Sequence, residues 1–287
     1  MSARWVYVDG RFAAYADARV HVEDRGLQFA DSVYEVWAVL GGRLGDAERH
    51  FARLFRNLAE LEIAAPMGRG ALLAVLREAV RRNRVREGLV YVQVTRGAAR
   101  REHLFPEPAA PTLVVVAKSV DRLKAEAKAR AGVAVITRPD ERWGRCDLKT
   151  TGLLPNVLAK QAAKAAGATE VWFVGRDGFI TEGASTTAWL VEPGGALVTR
   201  PKGLEVLPGV TRDRLIELAG GQGLEVVERP FTPKEAAGAS EVFYTAASAF
   251  VTPVVRLDGE PIGDGRPGAV VSRLRSLYLA EARNGAL

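Results

Sequence analysis

The segment RCDLKTTG, residues 145–152, is polar and lies between a predicted strand at 133–137 and a predicted helix at 153–166. Segments that connect a strand to a helix commonly display functional side chains. The chain has eight lysines, and seven of them fit solvated helix, strand-end or loop positions. Lys149 differs because it lies in this connection. From the local pattern alone, an ordinary surface lysine is still the more frequent interpretation.

Hydrophobic periodicity on both sides of this segment predicts a mixed α/β fold in two domains. The N-terminal part is predicted to contain strands at 5–8, 33–40, 89–94 and 112–117, and helices from 46 and at 71–82. The C-terminal part is predicted to contain strands at 133–137, 171–174, 179–181, 224–227 and 242–245, a hairpin that turns at Gly194-Gly195, and helices at 153–166, 211–219 and 270–283. Charged residues with little apolar face occupy the stretch between the two parts. We therefore predict an N-terminal α/β domain over 1–118, a connection over 119–131 and a C-terminal domain over 132–287.

Composition excludes several classes of protein. With 287 residues, 48% hydrophobic and 26% charged, the chain has the balance of a folded protein. The net charge of +6 does not indicate nucleic-acid binding, because most arginines lie near acidic residues and the densest cluster, 81–86, falls at a helix end. No apolar run reaches the ~20 residues that cross a bilayer. The single cysteine, Cys146, and the start MSARW, which lacks the apolar stretch of a secretory signal, lead us to expect a cytoplasmic protein.

Two further segments carry groups that could take part in chemistry. TEGASTT, residues 181–187, places the carboxylate of Glu182 among small hydroxylated residues. LPGVTR, residues 207–212, ends a loop and begins a helix that Thr211 could cap. The free N–H groups of a helix N-terminus form a ready site for phosphate. Taken singly, the two segments indicate an ordinary turn and an ordinary capped helix.

In order along the chain, however, these segments resemble the class-IV aminotransferases, which are fold-type IV pyridoxal-phosphate enzymes. The resemblance spans essentially the whole chain and is closest to D-amino-acid aminotransferase. The matching motifs are EDRGLQF (23–29), VYEV (33–36), HFARL (50–54), VTRG (94–97), RCDLK (145–149), LAKQ (158–161) and GVTR (209–212). The resemblance implies a smaller N-terminal α/β domain and a larger C-terminal domain with a barrel-like sheet and flanking helices.

The resemblance also implies roles around a pyridoxal 5′-phosphate cofactor, with no metal. Lys149 forms the aldimine with the cofactor and then moves the proton between Cα and C4′. Glu182 pairs with the pyridine nitrogen and keeps it protonated, so that the ring accepts electrons. Arg53 binds the phosphate, together with Val210 and Thr211 at the helix N-terminus. Arg53 is expected to lie off the apolar face of its helix. Leu207 and Ala247 complete the implied cofactor contacts.

Substrate recognition is implied by the 100–106 loop, RREHLFP. In D-aminotransferases an Arg-x-His pair on this loop reaches across a homodimer, completes the partner's active site and binds the α-carboxylate together with a tyrosine. The pair is here Arg101 and His103, and the tyrosine is Tyr34. Trp143, Val36 and Leu207 are expected to line the side-chain pocket. The implied reaction is ping-pong transamination between a D-amino acid such as D-alanine and a 2-oxoacid such as 2-oxoglutarate.

The chain departs from the family pattern at two places. Thr187 and Trp189 stand where the family usually has Asn and then Phe or Tyr, so packing near the cofactor is expected to differ. Ala246 and Ala247 stand where hydroxyls usually face the phosphate, so Ala247 offers only its backbone N–H. One lost neutral hydrogen bond costs on the order of 1 kcal/mol, which cofactor binding should survive.

Three alternative functions are compatible with parts of this pattern. A lyase of the same fold, such as aminodeoxychorismate lyase, keeps the lysine and the glutamate. A branched-chain L-aminotransferase has the fold but lacks the Arg-x-His pair. A pyridoxal-phosphate-binding or nucleic-acid-binding module without activity is supported only by the basic charge.

Overall fold

A computed structural model of the chain describes residues 4–287, which form two compact units. The first comprises the residues up to Arg122 together with Leu148–Gly152 and Ala282–Leu287. The second comprises Leu123–Asp147 and Leu153–Glu281. This division differs from the predicted one in two places. The predicted connection is largely a helix, because its Ala, Lys and Glu residues favour helix even without an apolar face, and the segment that carries Lys149 groups with the first unit.

The first unit is a six-stranded antiparallel sheet covered by two long helices. Its elements are β1 (Trp5–Val8), β2 (Arg11–Ala14), α1 (Arg25–Phe29), β3 (Ser32–Leu40), β4 (Arg43–Leu44), α2 (Ala47–Glu60), α3 (Arg69–Arg82), β5 (Glu87–Thr95) and β6 (Thr112–Ser119). The strand order is β2-β1-β6-β5-β3-β4. Asp9 and Gly10 turn the first hairpin with φ of 41° and 87°, the left-handed pair that the Asp-Gly sequence predicts. The core lies between β3, β5 and the two helices, around Trp37, Phe51 and Leu54.

The second unit is built on a nine-stranded mixed sheet. Its elements are α4 (Arg122–Ala131), β7 (Val133–Pro139), α5 (Leu154–Ala165), β8 (Glu170–Val174), β9 (Ile180–Gly183), β10 (Thr187–Val191), β11 (Leu197–Thr199), α6 (Val210–Gly220), β12 (Val226–Glu228), α7 (Pro233–Ala237), β13 (Glu241–Ala246), β14 (Phe250–Leu257), β15 (Glu260–Pro261) and α8 (Ala269–Asn284). The strands run β12-β11-β10-β13-β14-β7-β8-β9, and β15 adds to β14. Trp172, Phe231 and Val198 are among its fully buried core residues.

The predicted fold class is confirmed, with a curled, half-barrel sheet in the second unit and helices flanking both sheets. Strands β10 and β11 form the hairpin predicted at Gly194-Gly195, whereas strand β14 was not predicted. β14 contains Pro253, which argues against a buried strand, yet β14 is paired on both sides. Every helix within residues 4–287 is too short or too polar to cross a bilayer.

Candidate active site

Lys149 is held by backbone contacts along strand β3. The Lys149 carbonyl accepts the Tyr34 N–H at 2.9 Å, the Thr151 N–H donates to the Ser32 carbonyl at 3.3 Å, and Thr150 forms an isolated bridge with Val33. Strand β4 pairs only with Val39 and Leu40 at the far end of β3, so the first half of that edge is open to this segment. Main-chain contacts therefore position Lys149.

Alternation along β3 separates two sets of side chains. Tyr34 and Val36 share one face and are partly exposed, whereas Val33, Glu35 and Trp37 face the core. The Lys149 Nζ lies 4.1 Å from the centroid of the Tyr34 ring, which stacks on Tyr91. The structure thus brings together the predicted aldimine lysine and the predicted substrate tyrosine, with Val36 on the same face.

Arg53 forms a buried ion pair that the sequence did not reveal. Its Nε and Nη2 donate to Glu35 Oε2 and Oε1 at 2.8 and 2.7 Å, and His50 Nδ1 lies 3.0 Å from Oε1. The Glu35 side chain is 0% exposed and that of Arg53 is 9% exposed. Burial alone raises the pKa of Glu35, but the charges of Arg53 and His50 outweigh it and hold that pKa well below its ordinary value. Glu35 therefore fixes the direction of the Arg53 guanidinium, and phosphate binding by Arg53 stays a prediction.

In the second unit, Glu182 at the end of β9 is held between an arginine and a backbone N–H. Arg142 Nη1 donates to Glu182 Oε1, and the Leu207 N–H donates to Oε2 at 3.2 Å. Arg142 also binds Asp140. Burial lowers the pKa of Arg142, but its hydrogen bond to Asp140 and the charge of Glu182 raise that pKa above its ordinary value. A permanently charged guanidinium therefore favours the ionised form of the Glu182 carboxyl group.

Helix α6 begins three residues after Leu207. The predicted cap by Thr211 is wrong: the N-cap is Gly209, which offers no side-chain cap, and Thr211 is the second residue of the helix, buried like Val210. A Cβ on Gly209 would lie 2.8 Å from Thr187 Oγ1, so a glycine is needed at this approach. The short connection to Leu207 keeps the N-terminus of α6 close along the chain to the residue that donates to Glu182.

These groups fit the two ends of pyridoxal 5′-phosphate. An ionised carboxylate suits the protonated ring nitrogen, and a helix N-terminus suits the phosphate. Within the second unit, Glu182 and the first turn of α6 supply both groups, so the residues of that unit fit the cofactor. The roles of Lys149 and Arg53 towards it stay predictions.

The departures from the family pattern change local packing. Trp189 is fully buried, stacks on Phe243 at 5.4 Å and donates its Nε1–H to Thr245 Oγ1 at 3.1 Å. The larger ring therefore engages a hydroxyl on the neighbouring strand β13. Ala246 ends β13 and Ala247 begins the turn to β14, both partly exposed. The role of the Ala247 backbone N–H stays a prediction.

The 100–106 loop displays Arg101 and His103 at the surface of the first unit. Both side chains are exposed and pack on one ring: the Arg101 Cζ lies 4.8 Å and the His103 ring 5.6 Å from the centroid of Phe29. Trp143 is 49% exposed and lines a cleft of about 480 Å³ in the second unit with Arg142, Thr181 and Arg200. The predicted substrate roles of these residues stay predictions.

Cys146 lies in the same cleft but is protected from reaction. Its Sγ–H donates to the Trp143 carbonyl at 3.1 Å. Burial raises the pKa of the thiol to about 11 against the opposing charge of Arg142, and nearby carboxylates add to the rise. At pH 8 we expect the native protein to react with Ellman's reagent at least about a hundredfold more slowly than free cysteine, because its thiolate is that much scarcer. The urea-unfolded chain is the control and should react at the rate of free cysteine. Rapid reaction of the native protein would contradict this expectation.

Sequence reasoning missed the residues that orient the predicted groups. Glu35 lies between Val33 and Trp37 on the core-facing side of a predicted strand, and a carboxylate at such a position needs a buried partner. That signal was available in the alternation of the strand. Arg142 and Asp31 gave no comparable signal, because their partners come together only through tertiary packing.

The model of the family "Amino-transferase class IV" matches residues 32–257. The D-alanine aminotransferase of Bacillus licheniformis is 37% identical over 271 residues, which cover 94% of this chain and 94% of that protein. The D-alanine aminotransferase of Staphylococcus haemolyticus is 36% identical, with coverage of 94% and 95%.

Solved structures give the same fold. A branched-chain amino acid aminotransferase from T.th., solved with pyridoxamine 5′-phosphate, superposes with a TM-score of 0.90 at 27% identity, covering 98% of this chain and 95% of that one. The Escherichia coli branched-chain amino acid aminotransferase has a TM-score of 0.89 at 25% identity, with coverage of 97% and 94%. Sequence identity is thus higher to the D-alanine enzymes than to these two structures.

Proposed function

The chain belongs to the class IV aminotransferases and is a pyridoxal-phosphate-dependent enzyme, and from this premise we propose that it exchanges the amino group between a D-amino acid and a 2-oxoacid. The observation that carries this proposal is the exposed pair of hydrogen-bond donors, the Arg101 guanidinium and the His103 imidazole, on a loop whose backbone is held by Arg25. Such a pair suits an α-carboxylate. The relatives named D-alanine aminotransferase support the same substrate class.

The cofactor, when bound, supplies an electron sink for the pair of electrons left at Cα when its proton departs. In this proposal Lys149 would hold the cofactor through Nζ and would take and return the Cα proton of the substrate. Glu182, whose Oε1 accepts from Arg142 Nη1, would keep the proton on the ring nitrogen. Arg53 and the first turn of α6 would bind the phosphate, with the backbone N–H groups of Val210, Thr211 and Ala247 as donors.

Stereochemical preference follows from where the carboxylate is held. With the α-carboxylate bound by Arg101, His103 and Tyr34, only one of the two hydrogen orientations at Cα faces Lys149. Tyr34 contacts the lysine through its ring, which supports a shared role. Val36, Trp143 and Leu207 then contact the substrate side chain. We further propose a cytoplasmic homodimer in which Arg101 and His103 complete the partner's site.

The purified holoenzyme should be yellow and should convert D-alanine and 2-oxoglutarate to pyruvate and D-glutamate. We expect kcat/KM for D-alanine to exceed that for L-alanine by at least about a hundredfold, the loss that a misplaced reacting group commonly causes. Coupled lactate dehydrogenase detects the pyruvate, and chiral chromatography identifies the glutamate. Equal rates with both enantiomers would refute the proposed D-preference while leaving the transamination intact.

A second candidate is a branched-chain L-aminotransferase, favoured by the solved structures named above. These proteins share the fold, so the fold alone does not separate the two substrates. The same assay with L-leucine decides between them: faster turnover of L-leucine than of D-alanine selects the second candidate.

A further inference from the structure

The backbone of the 100–106 loop is held by a buried arginine from α1. Arg25 Nη1 donates to the carbonyls of Glu102 at 2.5 Å and Leu104 at 3.3 Å, and Nη2 donates to that of His103 at 3.5 Å. Its side chain is 4% exposed. One guanidinium thus contacts three successive carbonyls, and these flank or belong to His103.

A second buried arginine holds the end of the same loop. The Arg96 Cζ lies 3.5 Å from the centroid of the Phe105 ring. Its Nη1 and Nη2 donate to the carbonyls of Glu62 and Leu61 at 2.8 and 2.7 Å, which ties the guanidinium to the segment after α2. Phe105 is 53% exposed. This cation–π contact is therefore an anchor for an otherwise exposed aromatic ring.

Asp31 joins the two arginines. Its Oδ2 accepts from Arg25 Nε and from Arg96 Nε, each at 2.7 Å, and its Oδ1 accepts from Arg96 Nη2 at 3.0 Å. Burial raises the pKa of Asp31, but its hydrogen bonds to Arg96 and Arg25 outweigh burial and keep the pKa below its ordinary value. Two desolvated guanidinium groups need such a counter-charge, and they lose their fixed orientation without it.

We propose that Asp31 is a positioning residue for the substrate carboxylate, acting through Arg25 and Arg96 on the loop that carries Arg101 and His103. This inference rests on the proposed carboxylate-binding role of that pair. Arg101 and His103 are exposed, and among the ring contacts of the described residues both pack only on the ring of Phe29. A fixed backbone removes much of the ordering that substrate binding otherwise requires.

The test is Asp31→Asn in the holoenzyme, because asparagine keeps the shape and removes the charge. We expect KM for D-alanine to rise about tenfold while kcat stays within about twofold, since the lost contact serves ground state and transition state alike. Trypsin should cleave the variant after Arg100 and Arg101 about tenfold faster than the wild type, because a loop without these contacts unfolds locally more often. Affinity for the cofactor should not change. Asp17→Asn, an exposed aspartate of the same unit, is the matched control and should alter none of these values.

A double-mutant cycle shows whether Asp31 acts through the loop. In an Arg101→Ala background, Asp31→Asn should add little to KM, because the group that it positions is already gone. If Asp31→Asn does not fold, Arg25→Lys carries the same prediction, since lysine keeps the charge but lacks the planar fork.

The outcomes separate this inference from the proposed function. If Asp31→Asn changes neither KM nor the rate of tryptic cleavage, the inference is overturned. It is also overturned if cleavage is faster but KM does not rise, because Asp31 would then restrain the loop without positioning the carboxylate. Failure of the wild-type enzyme to use D-alanine refutes the proposed function instead. In that case KM for the preferred amino acid replaces KM for D-alanine in the same comparison.

Discussion

Replacing Lys149 with alanine is expected to lower D-alanine turnover by at least about 10³-fold, because the general acid–base step alone commonly contributes 10²–10⁴-fold. The fold should survive the change. Lys149 is placed by its carbonyl, which accepts the Tyr34 N–H, and by the main-chain contacts of its neighbours with β3. Alanine keeps all of these contacts and removes only the amine. Pre-steady-state spectra and steady-state turnover measure the loss.

Two controls define what that loss means. Lys164→Ala removes an exposed lysine in the last turn of α5 and should leave turnover unchanged. A small primary amine added to Lys149→Ala should restore part of the activity, because it can carry the missing proton. Turnover by Lys149→Ala close to that of the wild type would refute the proposed role of this lysine.

Replacing Glu35 with glutamine is expected to lower the free energy of unfolding by about 3–5 kcal/mol, the usual cost of removing one partner of a buried ion pair. The Arg53 guanidinium then stays buried without its counter-charge, and His50 loses a charged neighbour. Urea unfolding at pH 7 measures the difference. Glu48→Gln is the matched control on the same helix as Arg53: its ion pair with Arg69 is exposed, so we expect a loss of about 0–1 kcal/mol.

The effect of Glu35 depends on pH in a known direction. Its folded pKa lies well below the ordinary value, so its contribution is complete above about pH 4.3 and is lost as the pH falls further towards the folded pKa. The gap in unfolding free energy between wild type and Glu35→Gln should therefore shrink by about 1.4 kcal/mol per pH unit below about pH 4.3. A gap that is constant from pH 7 to pH 3 would contradict this account.

The same variant tests the proposed phosphate site. If Arg53 binds the phosphate, its loss of orientation should weaken binding of pyridoxal 5′-phosphate to the apoenzyme more than binding of pyridoxal, which has no phosphate. Fluorescence titration of wild type and variant with each compound gives the ratio of dissociation constants for pyridoxal 5′-phosphate and the ratio for pyridoxal. Equal weakening of both would mean that Glu35 supports the fold alone.

Much of the architecture follows from local sequence patterns. The hairpin at Asp9-Gly10 depends on residues that tolerate a left-handed backbone, and helix α2 follows from the apolar periodicity of Phe51, Leu54 and Leu58. Strand β14 was missed because its pairing on both sides outweighs the local disfavour of Pro253. Helix α4 was missed because helix propensity needs no apolar face.

The family was indicated by the resemblance of many motifs along the chain, among them those of Lys149, Glu182 and Thr211 in this order. Only the tertiary structure decided how these groups are supported. Three ion pairs give this support: Glu35 with Arg53, Arg142 with Glu182, and Asp31 with Arg96. Their partners are 18, 40 and 65 residues apart in the sequence. Ion pairs at such separations leave no periodic signal, since their partners meet only when strands and helices pack.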